Sequence, residues 1–344
     1  MEMMKKIKKI KVIKNKLYKY KIITKIIFIV VLIFLFIKLL NFSLNFDLVI
    51  PINKKHIKLF LSSIKYFRIF LRISKIIVIG NSEVKKYLEK EKYINYIDED
   101  TILPKSKINE FLNKNRFFRT KRDCWYEQQF IKMFFSKICK KDYYLIWDSD
   151  TIPITNIKLF QNNKPFFDMK TEHHKPYFDT MKRLFPFEIK FSNRSYISEH
   201  IMVKTEYMKK LITDIENNSK LPGKLFWEKI LMAIDVNDIH HSGFSEFETY
   251  GSYVDTKYPN NYHHRVWKSI RNAKLFLGNP ENLNENDILW LSKDYHALSF
   301  ENRYIFNKTY FSIIKNPDVQ KIYRPKDFFA NYKYIFRNYK QLNN

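Results

Sequence analysis

Past residue 45 the chain alternates short, wholly apolar runs with longer stretches in which apolar side chains recur every three or four positions. Asp47-Leu-Val-Ile-Pro51, Lys75-Ile-Ile-Val-Ile-Gly80 and Tyr143-Tyr-Leu-Ile-Trp147 are too short for helices and have no polar face. They predict strands buried on both sides, as in a parallel sheet. Between them, 54–72 carries Ile57, Leu61, Ile64 and Phe67 at helical spacing, 82–90 reads as a short helix with Ser82 as its N-cap, and 124–138 as a longer one. After Asp150 the pattern loosens: His200-Ile-Met-Val203 predicts a strand, and 206–216 and 225–234 predict helices. Strands separated by helices give an α/β fold with a mainly parallel sheet flanked by helices. No internal repeat or linker interrupts 46–340, which reads as one globular unit in two halves.

The segment before it is different. Residues 1–25 hold ten lysines against the single acid Glu2, and 26–37 is an uninterrupted apolar run of 12 residues. Such a run makes about 18 Å of helix, short of a hydrocarbon core of roughly 30 Å. Lys25 and Lys38 can extend it over 22–42 by laying their stems in the apolar layer. A cleaved signal peptide is disfavoured by the long basic region and the lack of a small-residue cleavage site. A buried core helix and a membrane anchor remain. The anchor is preferred: a basic cytoplasmic tail over 1–21, a membrane-anchor helix over 22–42, and a single-pass type II orientation. The side on which the body lies stays open, because a short anchor can also rest in the interface.

The chain of 344 residues has 62 Lys+Arg against 35 Asp+Glu, a formal net charge of +27. Basicity of this size suits nucleic acid, a membrane surface or a nucleotide diphosphate, and A+T-rich coding also enriches Lys, Ile and Asn. Aromatic residues at 17% supply core material and exclude disorder over most of the chain. Only five glycines occur, none in a G-x-G-x-x-G or a G-x-x-x-x-G-K-[ST] pattern, so a dinucleotide fingerprint and a P-loop are both excluded. A phosphorylated ligand would need a metal ion or basic side chains instead. Cys124 and Cys139 are too few for a disulfide framework or a thiolate zinc site and read as reduced and structural.

The strand ending at Trp147 runs into Asp148-Ser149-Asp150-Thr151. Residues i and i+2 of an extended segment point the same way. Asp148 and Asp150 therefore present two carboxylates together at the carboxyl end of a strand, where open α/β sheets bind ligands. Two hard oxygen donors suit Mn²⁺ or Mg²⁺, with a ligand's phosphates completing the shell. The bland reading of an Asp-x-Asp is a turn in which one carboxylate caps the next segment. On the preceding helix, Trp125, Gln128, Gln129 and Lys132 fall at i, i+3, i+4 and i+7 and share a face that is odd for a core. Ser245 and Glu248 form S-x-x-E, a capping box, which leaves Glu246 freer to point into a cleft. The histidine pairs 173–174, 240–241 and 263–264 make poor chelates, since neighbours on a strand face opposite ways, and His200 reads as a hydrogen-bonded core residue or a ligand.

The Asp-x-Asp after a hydrophobic strand resembles the metal site of GT-A-fold glycosyltransferases. More narrowly, five segments together resemble a largely uncharacterised glycosyltransferase-like family of polysaccharide-biosynthesis proteins. They are 47–51, 125–132, 144–151, 198–203 and 243–251, in the family's order. The resemblance implies a GT-A-like sheet and a transferase that moves a sugar from a nucleotide-diphosphate donor to a glycan or lipid-linked acceptor. It implies Asp148 and Asp150 as metal ligands. Pro51, Asn53 and Asn81, at strand ends beside the implied nucleotide pocket, become candidate base or ribose contacts. Trp125, Gln128, Gln129, Lys132 and His200 become candidate contacts to the nucleotide sugar. An inverting transferase needs a carboxylate base for the acceptor hydroxyl, which makes Glu246 the first candidate and Glu248 the second. A third metal ligand is common in such enzymes, with His241, His264 and His296 as weak candidates. Two rivals stand: a basic nucleic-acid-binding protein, and an inactive transferase-like fold serving as a structural partner. Paired carboxylates would repel a phosphate backbone, so the membrane, the donor and the acceptor are the expected partners and nucleic acid is not.

Overall fold

The computed structural model describes residues 24–25, 27–32, 46–73, 75–115, 122–189 and 191–342. The chain divides into two compact units, 1–45 and 46–344. In the first, residues 24–25 and 27–32 are helical. The tail expected over 1–21 and most of the anchor expected over 22–42 lie outside the described residues. Among the described residues no helix is long and apolar enough to cross a membrane. That finding overturns the single-pass, type II placement. The physical weakness was the apolar run itself, about 18 Å of helix set against a core of roughly 30 Å.

The second unit holds strands β1 (Phe46–Pro51), β2 (Ile76–Gly80), β3 (Ile94–Asp98), β4 (Tyr143–Trp147), β5 (Thr151–Pro153), β6 (Phe160–Gln161) and β7 (Lys164–Met169). They are followed by β8 (His200–Lys204), β9 (His263–Val266), β10 (Ser269–Ile270) and β11 (Ala297–Ser299). The main sheet has the order β3-β2-β1-β4-β8. Its first four strands are parallel, and β8 runs antiparallel to β4 with His200 opposite Trp147. The chain winds outward from β1 through β2 to β3, then returns to place β4 on the other side of β1. The crevice between the carboxyl ends of β1 and β4 is thus a topological switch point, where open α/β sheets take their ligands.

The apolar runs become strands because both faces are covered. Leu48 and Ile50 pack with Phe60 and Phe67 of helix α1 (Ile57–Phe70) and Val84 of α2 (Ser82–Leu88). Val49 points the other way, into a cluster with Tyr126 and Phe130 of α3 (Asp123–Ile138) and Tyr250 of α4 (Glu246–Lys257). A third cluster joins Ile152 and Leu298, on paired β5 and β11, to Phe276, Trp290 and Phe328 of the C-terminal helices. Helix α2 is capped one residue earlier than expected: the Asn81 side chain, not that of Ser82, accepts the Val84 N–H. Both cysteines are free, Cys139 buried and Cys124 exposed.

Candidate active site

After Trp147 the chain turns through Asp148, Ser149 and Asp150 into β5. Backbone bonds fix this turn from three sides. The Asp148 N–H donates to the Glu199 carbonyl at 2.9 Å, the Thr151 N–H to the Asp148 carbonyl at 3.1 Å, and the Phe300 N–H to the Asp150 carbonyl at 2.7 Å. From α3, the Lys132 ammonium donates to Asp148 Oδ1 at 2.9 Å and to Glu246 Oε1 at 2.7 Å. Burial alone would discharge Lys132; Asp148 and Glu246 more than offset it and hold the amine protonated above its usual range. One turn earlier, Gln129 Oε1 accepts the Glu246 N–H at 3.1 Å, and Gln128 Nε2 donates to the Pro51 carbonyl at 3.1 Å. The polar face of α3 thus joins the end of β1, the start of α4 and the aspartate turn.

The carboxyl of Asp150 is pushed up to about 7, by burial first and then by the negative charge of Asp148, Glu301 and Glu199. Glu199 has φ +61°, a left-handed backbone that an L-residue adopts only when its surroundings impose it. Its carboxylate accepts from Lys170, from Ser269 Oγ at 3.1 Å and from Trp267 Nε1 at 2.9 Å. Glu301 is held by Arg271 Nε at 2.7 Å, and Arg271 also reaches Glu172 at 2.8 Å. The half-buried imidazole of His56 lies within electrostatic reach of Asp148. Burial, with Lys55 and Lys274, lowers its pKa, while Asp148 opposes them.

A divalent cation would offset the negative charge of Asp148, Glu301 and Glu199, which together with burial raises the Asp150 carboxyl. Among the described residues no group of three or more His, Cys, Asp or Glu is arranged to hold a metal ion. With two carboxylates, Asp148 and Asp150 would hold Mg²⁺ or Mn²⁺ only in the low-count mode, in which one or two carboxylates share the ion with water and a ligand's phosphates. His264 pairs with Asp255 at 2.8 Å, and His296 stacks on Trp267 while its Nδ1 accepts the Lys268 N–H at 3.2 Å.

Other expected contacts sit elsewhere. The Asn53 and Asn81 side chains cap their helical segments, each accepting a backbone N–H at 3.2 Å. Trp125 packs edge-on against Tyr126, half-buried at the rim of the core. His200 is buried, with Nε2 3.0 Å from Asp168 and Nδ1 2.9 Å from the Ser198 carbonyl. Both ring nitrogens are spent inside the fold, so His200 supports the sheet rather than lining the crevice. Ser245 does cap α4 through the Glu248 N–H at 3.3 Å. The Glu248 carboxylate does not complete a capping box. It accepts instead from Ser195 Oγ at 2.6 Å and the Tyr196 N–H at 3.2 Å, and burial pushes it up to about 7. Glu246 is the less enclosed of the two acids, 5% exposed against 1% for Glu248, but it is tied to Lys132. Sequence reasoning missed Glu199, Glu301, Arg271, Lys170 and His56. Glu199 carried a faint signal, immediately before the strand that pairs with β4; Glu301 carried none.

Comparison with curated proteins finds no match. Among solved structures, the galactosyltransferase LgtC in complex with donor and acceptor sugar analogs is 10% identical, with a TM-score of 0.33. The match covers 54% of this chain and 69% of that one. The glycosyltransferase GlyE of Streptococcus pneumoniae TIGR4 is 12% identical, with a TM-score of 0.34. It covers 84% of this chain, and this chain spans 64% of GlyE. The apo form of GlyE is alike, at a TM-score of 0.35. Superpositions this loose transfer neither fold nor activity. A family model matches residues 45–322, a span that takes in every strand among the described residues and the whole of the aspartate-turn site. The chain belongs to the family of unknown function DUF6492.

Proposed function

We propose that this chain is a GT-A-type glycosyltransferase that moves a sugar from a nucleotide-diphosphate donor to a glycan or lipid-linked acceptor. The observation that carries the reading is the pair Asp148 and Asp150, at the carboxyl end of β4 beside the switch point, with Asp150 kept from ionising until about 7. The sequence resemblance to GT-A transferases supports the same assignment. A Mn²⁺ or Mg²⁺ ion held there would neutralise charge on the departing diphosphate. Lys132 fixes the Asp148 carboxylate at 2.9 Å and ties it to Glu246. Glu246, bonded to Lys132 at 2.7 Å, is the candidate acceptor base. Gln128, bonded to the Pro51 carbonyl, shapes the nucleotide side of the crevice. Nucleic acid fits this site poorly, because its face is built of carboxylates.

The test is thermal. UDP or GDP should raise the melting temperature in the presence of Mn²⁺ or Mg²⁺ and not without it, by the linkage between ligand occupancy and stability. Asp148→Asn and Asp150→Asn should each abolish the shift while leaving the fold intact. A nucleotide shift that persists in either variant, or in excess chelator, removes the metal-dependent mechanism. No shift with any nucleotide diphosphate favours the inactive structural fold.

A further inference from the structure

On the β8 side of the aspartate turn lies an open cleft of ≈ 470 Å³, lined by residues that include Lys170, Glu172, Arg194, Trp267, Lys268 and Tyr295. We propose that this cleft is an acceptor subsite for a saccharide bearing a carboxylate or phosphate group, an assignment that rests on the transferase reading above. The first argument is position. Lys170 and Ser269 both line the cleft and bond the Glu199 carboxylate, and the Glu199 carbonyl takes the Asp148 N–H. The cleft is thus one residue removed from the aspartate turn. It lies across β4 from the β1 crevice, where Gln128 and Pro51 meet. A transferase needs its two substrates on opposite sides of the reacting centre.

The second argument is charge. Lys170 is committed to Glu199, and Glu172 to Arg271. Arg194 and Lys268 are exposed and form no ion pair among the described residues. The cleft therefore presents two cations with no internal partner, one of them a guanidinium whose fork fits a carboxylate or phosphate. The third argument is the wall. Val266, which is 46% exposed, and half-buried Tyr295 give an apolar surface beside those cations, with the buried Trp267 behind them. A bare anion would not need that surface, and a neutral sugar would not need the cations. A sugar ring with an acidic substituent uses both, and the volume lies within the range of roughly 300–1,000 Å³ common for small-ligand sites.

Saturation-transfer NMR on the full chain tests the assignment, with D-glucuronate, glucose 6-phosphate and glucose as probes. The acidic sugars should bind about tenfold more tightly than glucose, the scale of one charge-assisted contact. The preference between glucuronate and the phosphate identifies the acidic group. In the double variant Arg194→Gln/Lys268→Gln that advantage should disappear, with the melting temperature unchanged because both side chains are exposed. Equal binding of all three probes, no binding of any, or an acidic preference that survives in the double variant overturns the proposal. Nucleotide binding by the wild type is measured alongside. Its failure counts against the transferase reading, whereas loss of the acidic preference alone counts against the cleft.

Discussion

Lys132 sits between two carboxylates whose charges need it. Its ammonium is 2.9 Å from Asp148 and 2.7 Å from Glu246, and both Lys132 and Glu246 are almost wholly shielded from water. Removing one partner of a buried pair costs about 3–5 kcal/mol, while replacing both with groups of similar shape is often near neutral. Lys132→Met should therefore be strongly destabilising, because Glu246 is left charged in a closed space. Asp148 suffers less, being 33% exposed at its side chain and able to turn to water. Glu246→Gln should cost less than Lys132→Met, since Lys132 keeps Asp148. Lys132→Met/Glu246→Gln should recover much of the loss. Urea midpoints of the three variants give the coupling directly. Strictly additive losses would mean that the two side chains do not act as a pair. The same set bears on the base. Glu246→Gln should lower turnover by about 10²-fold, with nucleotide binding little changed.

At the scale of elements, α4 shows how the site is held at a fixed height. Gly251 lies inside this helix, where Gly→Ala ordinarily stabilises by about 1 kcal/mol. Here a Cβ would stand 2.1, 2.3 and 2.6 Å from atoms of the Tyr196 ring. That ring cannot step aside. It is buried, its hydroxyl donates to Asp255 at 2.5 Å, and its backbone N–H is bonded to Glu248. Gly251→Ala should reverse the usual sign and lower stability by about 1–3 kcal/mol, the range for overpacking. A raised melting temperature would show that α4 is not seated on Tyr196 as described. Elements of this kind differ in how much of themselves the sequence displays. β1, β2, β4 and the helices Ile57–Phe70, Ser82–Leu88 and Asp123–Ile138 were legible because burial leaves an unbroken apolar run or a helical stripe, whereas the helices Glu99–Ile102 and Lys105–Lys114 were not read. β3 was not: Ile-Asn-Tyr-Ile-Asp at a sheet edge is only partly covered, so its pattern is mixed. β5, β10 and β11 are two or three residues long, too short for any period to register. The site divides along the same line. Asp148, Asp150 and the α3 face through Lys132 are set by local order along one strand and one helix. Glu199 and Glu301 arrive through pairing with distant segments, which no local pattern announces.

At the largest scale, the unit from Phe46 onward has a polar bolt between its large sheet and a smaller one. Asp168 on β7 receives Arg265 of the parallel neighbour β9 through two bonds, at 2.6 and 2.7 Å, and His200 of β8 lies 3.0 Å from the same carboxylate. His200 in turn stacks on Trp147, the last residue before the aspartate turn, with ring centroids 4.4 Å apart. Strand pairing does not join these sheets; this cluster and the core packing of Phe167 and Met169 with Ile201 and Val203 together hold β7 against β8. Burial alone would raise the Asp168 carboxyl; its bonds to Arg265 and His200 outweigh burial and hold it down to about 2, against an ordinary 3.8. A carboxyl depressed in the folded state stabilises it fully above the unfolded value, and that contribution drains away as pH falls from 3.8 toward 2. The corresponding difference is about 2 kcal/mol. Asp168→Asn keeps the shape but removes the charge, so it should be less stable than the wild type at pH 7 by at least that order. The gap should stay level down to about pH 4 and narrow below it. Urea midpoints of both proteins from pH 7 to 3 measure it. A gap that stays constant to pH 3 would place the acid sensitivity elsewhere, and an Asp168→Asn variant more stable than the wild type at pH 7 would show that the buried charge is a net cost to this fold.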